Sequence, residues 1–276
     1  MTYAETYLAR VRWALLLILL LLAPFHAFLI TWAKSLLPGG SLLSVLSAWR
    51  EIFVLAICLI ISAELFFQKI YFKNLDRLDW WIISFGLLAL AFLPFQRSHL
   101  SQWLLGVRFD VMPFVFLFFV RRVAWGNSEK LKKIVVVAAV VVVVFGLLHA
   151  KILPHDFLAQ FGYSDYQGSY RPDIPIAACQ YLEGTDRVCR ATSTFGGPTR
   201  YGTYLLLVFG LLAGVIKKNV ESRMWNVGFF ILAAASAVLT YSRSIWVGAL
   251  FMAIVGGGLF FKNLIKLFTK SGTGFS

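Results

Sequence analysis

Long apolar runs recur along almost the whole chain and restrict its fold more than any other feature. The run at 13–30 approaches the length of about 20 residues that a helix needs to cross the hydrocarbon core of a bilayer. Hydrophobic residues make up 59% of the 276 residues, far above a soluble domain. Because lipid cannot hydrogen-bond the backbone, such runs cross a membrane as helices. The chain is therefore predicted to be an all-α, polytopic membrane protein with residues 1–276 in a single membrane domain.

The apolar runs predict about eight transmembrane spans. They are placed at 13–33, 50–67, 80–95, 109–120, 134–153, 200–216, 226–241 and 245–261. The fourth is short and charged at both ends, so tilt or local thinning of the bilayer has to accommodate it. The first run has no clear small-residue cleavage site, so we expect a retained helix rather than a signal peptide.

The distribution of positive residues predicts the orientation of these spans. With the N-terminus inside, 16 of the 26 lysines and arginines fall in cytoplasmic segments and five in short outer loops. Such an excess in short cytoplasmic loops sets orientation. Both termini are therefore predicted to be cytoplasmic, in the inner (plasma) membrane. The net charge of +13 is interpreted as attraction to anionic membrane lipids, with no nucleic-acid partner.

One connection, 154–199, is much longer than the others and is extracytoplasmic in this topology. Cys179 and Cys189 lie ten residues apart in it, in a compartment where disulfides persist, so we predict a bond between them. Two unrelated free thiols are the alternative. The sequence shows no Cys/His cluster with metal-ligand spacing, and neither a metal nor another cofactor is expected.

The predicted outer face is rich in arginine. Eight of its ten cationic residues are arginines, whereas lysine and arginine are mixed inside. Bidentate phosphate binding favours arginine, because the planar guanidinium matches two phosphate oxygens at once. The outer arginines are Arg50, Arg97, Arg108, Arg171, Arg187, Arg190, Arg200 and Arg243.

A turn of Gly196, Gly197 and Pro198 leads into the sixth predicted span. Proline suits the first turn of a helix, and a helix N-terminus offers free N–H groups and a positive dipole end to an anion. Arg190 and Arg200 flank this terminus. An anion site is one interpretation. The other is a loop that re-enters the membrane, with Arg200 extending to the interface.

Three segments occur in a fixed order: LLGVRFDVMPFVFLFF at 104–119, RATSTFGGPTRYGTYLLL at 190–207 and LTYSRSIWVGALF at 239–251. They resemble the O-antigen ligase and O-antigen polymerase family of bacterial envelope proteins. That family has a Gly-x-Arg entering a helix, an Arg-x-x-x-x-Phe-Gly-x-Pro segment, and a Ser-Arg-Ser or Ser-Arg-Gly turn. The resemblance covers roughly residues 80–261, and the Ser-Arg-Ser turn is its most specific part.

The resemblance implies a GT-C-like fold and a metal-independent, inverting glycosyl transfer on the outer face of the inner membrane. The donor is a glycan on a polyprenyl diphosphate, and the acceptor is a lipid A-core sugar, a repeat unit or a protein. Outer arginines hold the diphosphate and stabilise it as it leaves. The matching or flanking arginines are Arg243, Arg190, Arg108 and Arg200, with supporting turns at Ser242, Ser244, Gly196, Gly197 and Pro198.

The family's proposed base is a histidine in a His-Asn-type motif of a large outer loop, and none of the four histidines matches it. The catalytic base is therefore unassigned, and the sequence is expected to be truncated relative to the family. Two alternatives stay open. One is a transporter or flippase for a lipid-linked glycan, which should show charged or broken helices in mid-membrane; Glu64, a carboxylate within a span, lies near the cytoplasmic end. The other is a non-catalytic membrane partner.

Overall fold

The computed structural model describes residues 3–37, 45–67, 75–92, 100–123, 128–164, 176–182, 188–215 and 220–254. These residues are mostly helical. The helices are α1 (Tyr3–Leu22), α2 (His26–Leu36), α3 (Trp49–Phe67), α4 (Arg77–Ala91), α5 (Leu100–Gly106), α6 (Met112–Val120), α7 (Ser128–Lys151), α8 (Pro198–Val215), α9 (Val220–Leu239) and α10 (Arg243–Ile254).

Three helical segments of the described chain are long and apolar enough to cross a membrane. They are Tyr7–Leu36, Gln102–Val120 and Glu129–Lys151. Each of the eight predicted spans overlaps a helix, although parts of the third, sixth and eighth spans lie outside the described residues. Helix α4 is shorter than a bilayer requires. Eight crossings therefore stay a prediction.

The fourth predicted span is longer than the sequence indicated. Helix α5, a π-helical segment at Val107–Val111 and helix α6 follow one another without a break, so Arg108 and Asp110 lie within helical structure. A π turn widens the helix just before Pro113, which has no N–H to donate. The charge of Arg108 is matched there, because its Nε and Nη2 donate to Glu51 Oε1 at 2.9 and 2.7 Å.

The chain divides into two compact units. The first comprises Met1–Leu21 and Ser47–Lys132, and the second comprises Leu22–Leu46 and Lys133–Ser276. The core of the first unit is built from Leu16, Leu19, Ile57, Ile61 and Leu65. In the same unit, Arg12 of α1 donates to Glu64 of α3, and both side chains are buried.

Charged residues join the start of α4 to the end of α6 in the first unit. Asp76 caps α4 by accepting from the Asp79 N–H at 2.8 Å, and Asp79 accepts in return from the Asp76 N–H. Arg121 Nη2 donates to Asp76 Oδ2 at 2.5 Å, and this bond lowers the pKa of Asp76 to about 2. Arg122 pairs with Asp79 at 2.9 Å. This cluster binds the two helix ends electrostatically.

The core of the second unit lies among α7, α8, α9 and α10. Its fully buried members include Val142, Val143, Tyr201, Leu205 and Ala233. The Tyr201 hydroxyl lies 2.5 Å from Ser236 Oγ and so links α8 to α9. The ring of Tyr201 lies against Gly146 of α7, where a Cβ would come within 2.5 Å of the hydroxyl oxygen.

Helices α8 and α10 run parallel in close contact. A Cβ at Gly202 would lie 2.2 Å from Ile245 Cγ1, and one at Gly248 would lie 2.7 Å from Leu206 Cδ1. Contacts that advance in the same direction along both helices require parallel axes. Small residues permit this approach of two backbones. The first turns of α8 and α10 therefore lie side by side.

The connection 154–199 contains local structure of its own. A 3₁₀ helix at Phe157–Phe161 packs on α2, with the rings of Phe161 and Phe28 centred 5.1 Å apart. Strands β1 (Gln180–Tyr181) and β2 (Cys189–Arg190) pair in an antiparallel manner. A disulfide joins Cys179 to Cys189, with 5.6 Å between the Cα atoms.

Replacing Gly146 with alanine is expected to destabilise the protein by about 1–3 kcal/mol, because the added methyl group overpacks the buried Tyr201 ring. Thermal unfolding of the purified protein in detergent measures the effect. The control is Gly228→Ala in α9, where a Cβ meets nothing within 4 Å. The interpretation is wrong if the two variants unfold at the same temperature.

Candidate anion-binding site

The segment that connects β2 to α8 passes through the interior of the second unit. Residues 191–194 are each exposed by no more than 5%. Ser193, whose φ is 51°, donates from Oγ to the Val142 carbonyl of α7 at 2.7 Å. Val142 lies nine residues before Lys151, the last residue of α7. At about 1.5 Å per residue, the segment reaches roughly 13 Å along α7 from that end.

Several polar groups of this segment are bonded to protein. Thr194 Oγ1 donates to the Pro24 carbonyl at 2.8 Å, at the 3₁₀ turn between α1 and α2. The Phe28 N–H, in the first turn of α2, donates to the Thr194 carbonyl at 3.2 Å. Both are groups that a helix terminus leaves without an internal partner. Irregular backbone at membrane depth is stable only when it is satisfied in this way.

Arg190 binds the C-terminal end of α9. Its Nε donates to the Thr240 carbonyl at 2.9 Å and its Nη2 to the Tyr241 carbonyl at 3.3 Å. Tyr241 has a φ of 49°, the left-handed conformation that commonly ends helices. Terminal carbonyls form the negative end of the helix dipole and attract a cation. Arg190 thereby determines the shape of the turn between α9 and α10.

Arg243 is the first residue of α10 and is exposed. The residue before it, Ser242, is buried, and its carbonyl accepts from the N–H groups of Ile245 and Trp246 at 3.1 and 3.2 Å. Ser242 Oγ lies 3.0 Å from Ser244 Oγ. The Ser-Arg-Ser turn thus begins a helix, with its arginine exposed and its first serine buried.

The Gly196–Gly197–Pro198 turn begins α8, as the sequence predicts. Pro198 is the first residue of the helix, and the Tyr201 N–H donates to the Gly197 carbonyl at 3.1 Å. The Arg200 side chain extends back over the turn, with Nη1 3.4 Å from the position of a Cβ on Gly196. Arg200 is exposed.

These features place two helix N-termini and two arginines at one end of the second unit. Because α8 and α10 are parallel, their positive dipole ends lie side by side, which is unfavourable unless an anion is near. Neither Arg200 nor Arg243 has a hydrogen-bond or ion-pair partner in the described part of the chain. The arrangement is suited to a phosphate or diphosphate group.

The other predicted arginine, Arg108, belongs to the first unit. It is bonded to Glu51, which also lies 3.7 Å from Arg50. Its predicted contact with a diphosphate stays a prediction. Among the described residues, no group of three or more His, Cys, Asp or Glu side chains could hold a metal ion.

Sequence reasoning missed Gln180. Its Nε2 donates to the Gly196 carbonyl at 3.3 Å, so it contacts the turn that begins α8. A glutamine between a cysteine and a tyrosine carries no recognisable motif, and only its position beside Cys179 singles it out.

The structure therefore defines a mostly helical protein, with three helices long and apolar enough to cross a membrane and a site suited to an anion. Comparisons with protein-family models, curated proteins and solved structures found no match. The resemblance to the O-antigen ligase and polymerase family rests on the three quoted motifs.

Replacing Arg190 with methionine is expected to destabilise the protein by about 2 kcal/mol, because two helix-terminal carbonyls lose a charged donor. The matched substitution Arg243→Met removes an exposed side chain and is expected to change stability by less than about 0.5 kcal/mol. Thermal unfolding in detergent compares the two. Equal unfolding temperatures would contradict the capping role of Arg190.

Proposed function

We propose that this protein binds the diphosphate of a polyprenyl-diphosphate-linked glycan and transfers the glycan to an acceptor. The acceptor is a lipid A-core sugar, a repeat unit or a protein, as in O-antigen ligases and polymerases. The observation that carries the proposal is the pairing of the N-termini of α8 and α10, each bearing an exposed arginine without a partner in the described chain. The quoted motifs supply the glycan chemistry.

The proposed reaction is a displacement at the anomeric carbon of the donor sugar. The acceptor oxygen forms a bond to this carbon, and the bond from the carbon to the phosphate oxygen breaks. The leaving diphosphate takes the electron pair, so negative charge grows on its oxygen as the reaction proceeds. Arg200, Arg243 and the two helix N-termini are already oriented to stabilise that charge. The acceptor proton passes to a base, and no residue of this chain is assigned as that base.

The roles of the arginines differ in this proposal. Arg200 and Arg243 are exposed and bind phosphate oxygens directly, where a planar guanidinium provides two parallel donors. Arg190 donates from two of its nitrogens to the Thr240 and Tyr241 carbonyls that follow α9, and so holds the turn before Arg243. Arg108 is assigned to the diphosphate by the family resemblance alone.

The proposal includes a position in the cell. The chain is a GT-C-like protein of the inner membrane with about eight crossings and both termini in the cytoplasm. The site then opens at the outer face, where the polyprenyl chain lies in lipid and its diphosphate lies at the interface. The buried path of 191–194 supports this placement, since it provides protein partners for irregular backbone beside a helix long enough to span.

The transporter alternative is weaker. A transporter is expected to carry charged or broken helices in mid-membrane, whereas Glu64, near the predicted cytoplasmic end of its span, is bonded to Arg12 with both side chains buried. A pair of this kind satisfies the charge of each partner inside the protein.

Lysine at position 243 or 200 is expected to lower the rate of glycan transfer by at least about tenfold, because lysine keeps the charge but loses bidentate donation. Transfer is measured in membranes with a fluorescent lipid-linked glycan. The control is Arg77→Lys, an exposed arginine of the first unit. Full activity of both site variants, at normal protein levels, would rule out the assignment.

A cysteine at position 199, beside Pro198, is expected to react with a membrane-impermeant maleimide in intact cells. A cysteine at position 77 is expected to react only after the membrane is opened. Both are introduced in a Cys58→Ala background, where the remaining cysteines form the disulfide. The opposite labelling pattern would reverse the proposed orientation.

A further inference from the structure

The two turns that begin the anion site are held by the same small hairpin. Gln180 on β1 and Arg190 on β2 are directly paired across the two strands. Gln180 donates to the Gly196 carbonyl before α8, at 3.3 Å. Arg190 donates to the Thr240 and Tyr241 carbonyls before α10. One cross-strand pair therefore contacts both turns.

The disulfide crosses this hairpin diagonally at the same pair. Cys179 precedes Gln180 on β1, and Cys189, which pairs with Tyr181, precedes Arg190 on β2. Both cysteines are only 5% exposed, so the bond lies within the packed unit. Two strands of two residues each have little stability alone. The covalent bond therefore restricts the separation of Gln180 and Arg190 in addition to the backbone pairing.

The contact between α8 and α10 does not by itself orient the site. Gly202 and Ile245 determine how closely the helix axes approach. The turns before α8 and α10 lead directly into the first N–H groups of these helices. They therefore determine the positions of the Arg200 and Arg243 backbones. Both turns are bonded to the hairpin, through Gly196 on one side and Thr240 on the other.

We propose that Gln180 is a positioning residue of the anion site, acting with Arg190 across the disulfide-closed hairpin. The hairpin holds the turns before α8 and α10 at the spacing that lets one diphosphate contact both helix N-termini. This inference rests on the proposed function for the identity of the anion. The geometric part, that the hairpin sets the spacing of the two turns, does not depend on it.

The first test measures the affinity of the purified protein for inorganic pyrophosphate by calorimetry. Gln180→Met keeps the length of the side chain and removes its donor, so affinity is expected to fall roughly fivefold, the effect of one net hydrogen bond. The matched control is Gln160→Met, an exposed glutamine on the 3₁₀ helix of the same connection, and it is expected to bind as the wild type does. Thermal unfolding is followed in parallel to verify that each variant is folded.

Reduction of the disulfide in the folded protein is expected to weaken pyrophosphate binding at least as much as Gln180→Met does. The two changes act through one hairpin, so together they are expected to weaken binding by less than the product of their separate effects. A wild-type protein that binds pyrophosphate with an affinity unchanged by Gln180→Met and by reduction would overturn the positioning role.

The second test measures the spacing itself. Maleimide-linked nitroxide labels on Thr199→Cys and Val247→Cys, both at exposed positions, report the distance between the first turn of α8 and the start of α10 in a Cys58→Ala background. The distance distribution is expected to broaden in Gln180→Met and on reduction, and to stay narrow in Gln160→Met. An unchanged distribution would overturn the inference. If the distance distribution broadens in Gln180→Met and on reduction, but the wild-type protein binds no pyrophosphate, the hairpin still sets the spacing of the two turns and the proposed function is rejected.

Discussion

The bonds from Arg190 to the Thr240 and Tyr241 carbonyls, just after α9, connect separate parts of the second unit. They tie β2, and through it the disulfide, to the turn from which Arg243 projects. Next to them, the Ala191 N–H donates to the Leu239 carbonyl at 2.8 Å, which starts the buried path towards Ser193. A charged donor is suited to this place, because helix-terminal carbonyls without partners would otherwise face an apolar interior.

The buried segment and the anion site have the same physical origin. A chain that enters the interior without helical structure needs partners for its polar groups, and residues 191–194 bond to α7, α9 and the turn before α2. That network leaves the following turn at Gly196 in a defined position, so that α8 begins with its N–H groups beside those of α10. Electrostatic preorganisation thus follows from hydrogen-bond satisfaction.

Local signals predicted the parts of the site that depend on neighbouring residues. Pro198 marks the start of a helix, because this preference acts within a single turn. Three other interactions join residues that are not neighbours in the sequence, and no local pattern encodes them. They are the bonds from Arg190 to Thr240 and from Gln180 to Gly196, and the contact of Gly202 with Ile245. The fourth predicted span, 109–120, was too short for a related reason. Arg108 was interpreted as lying before the helix, because its pairing with Glu51, far away in the sequence, could not be predicted.

The parallel arrangement of α8 and α10 also has a consequence for biosynthesis. Two parallel neighbours need a third helix, α9, to return the chain between them, so their contact forms late during synthesis. Arg190 and Gln180 leave the ribosome long before the carbonyls of Thr240 and Tyr241 exist as partners. The arginine-bearing end therefore assembles only after α10 has been made, and an insertion intermediate that lacks α10 has Arg200 without Arg243.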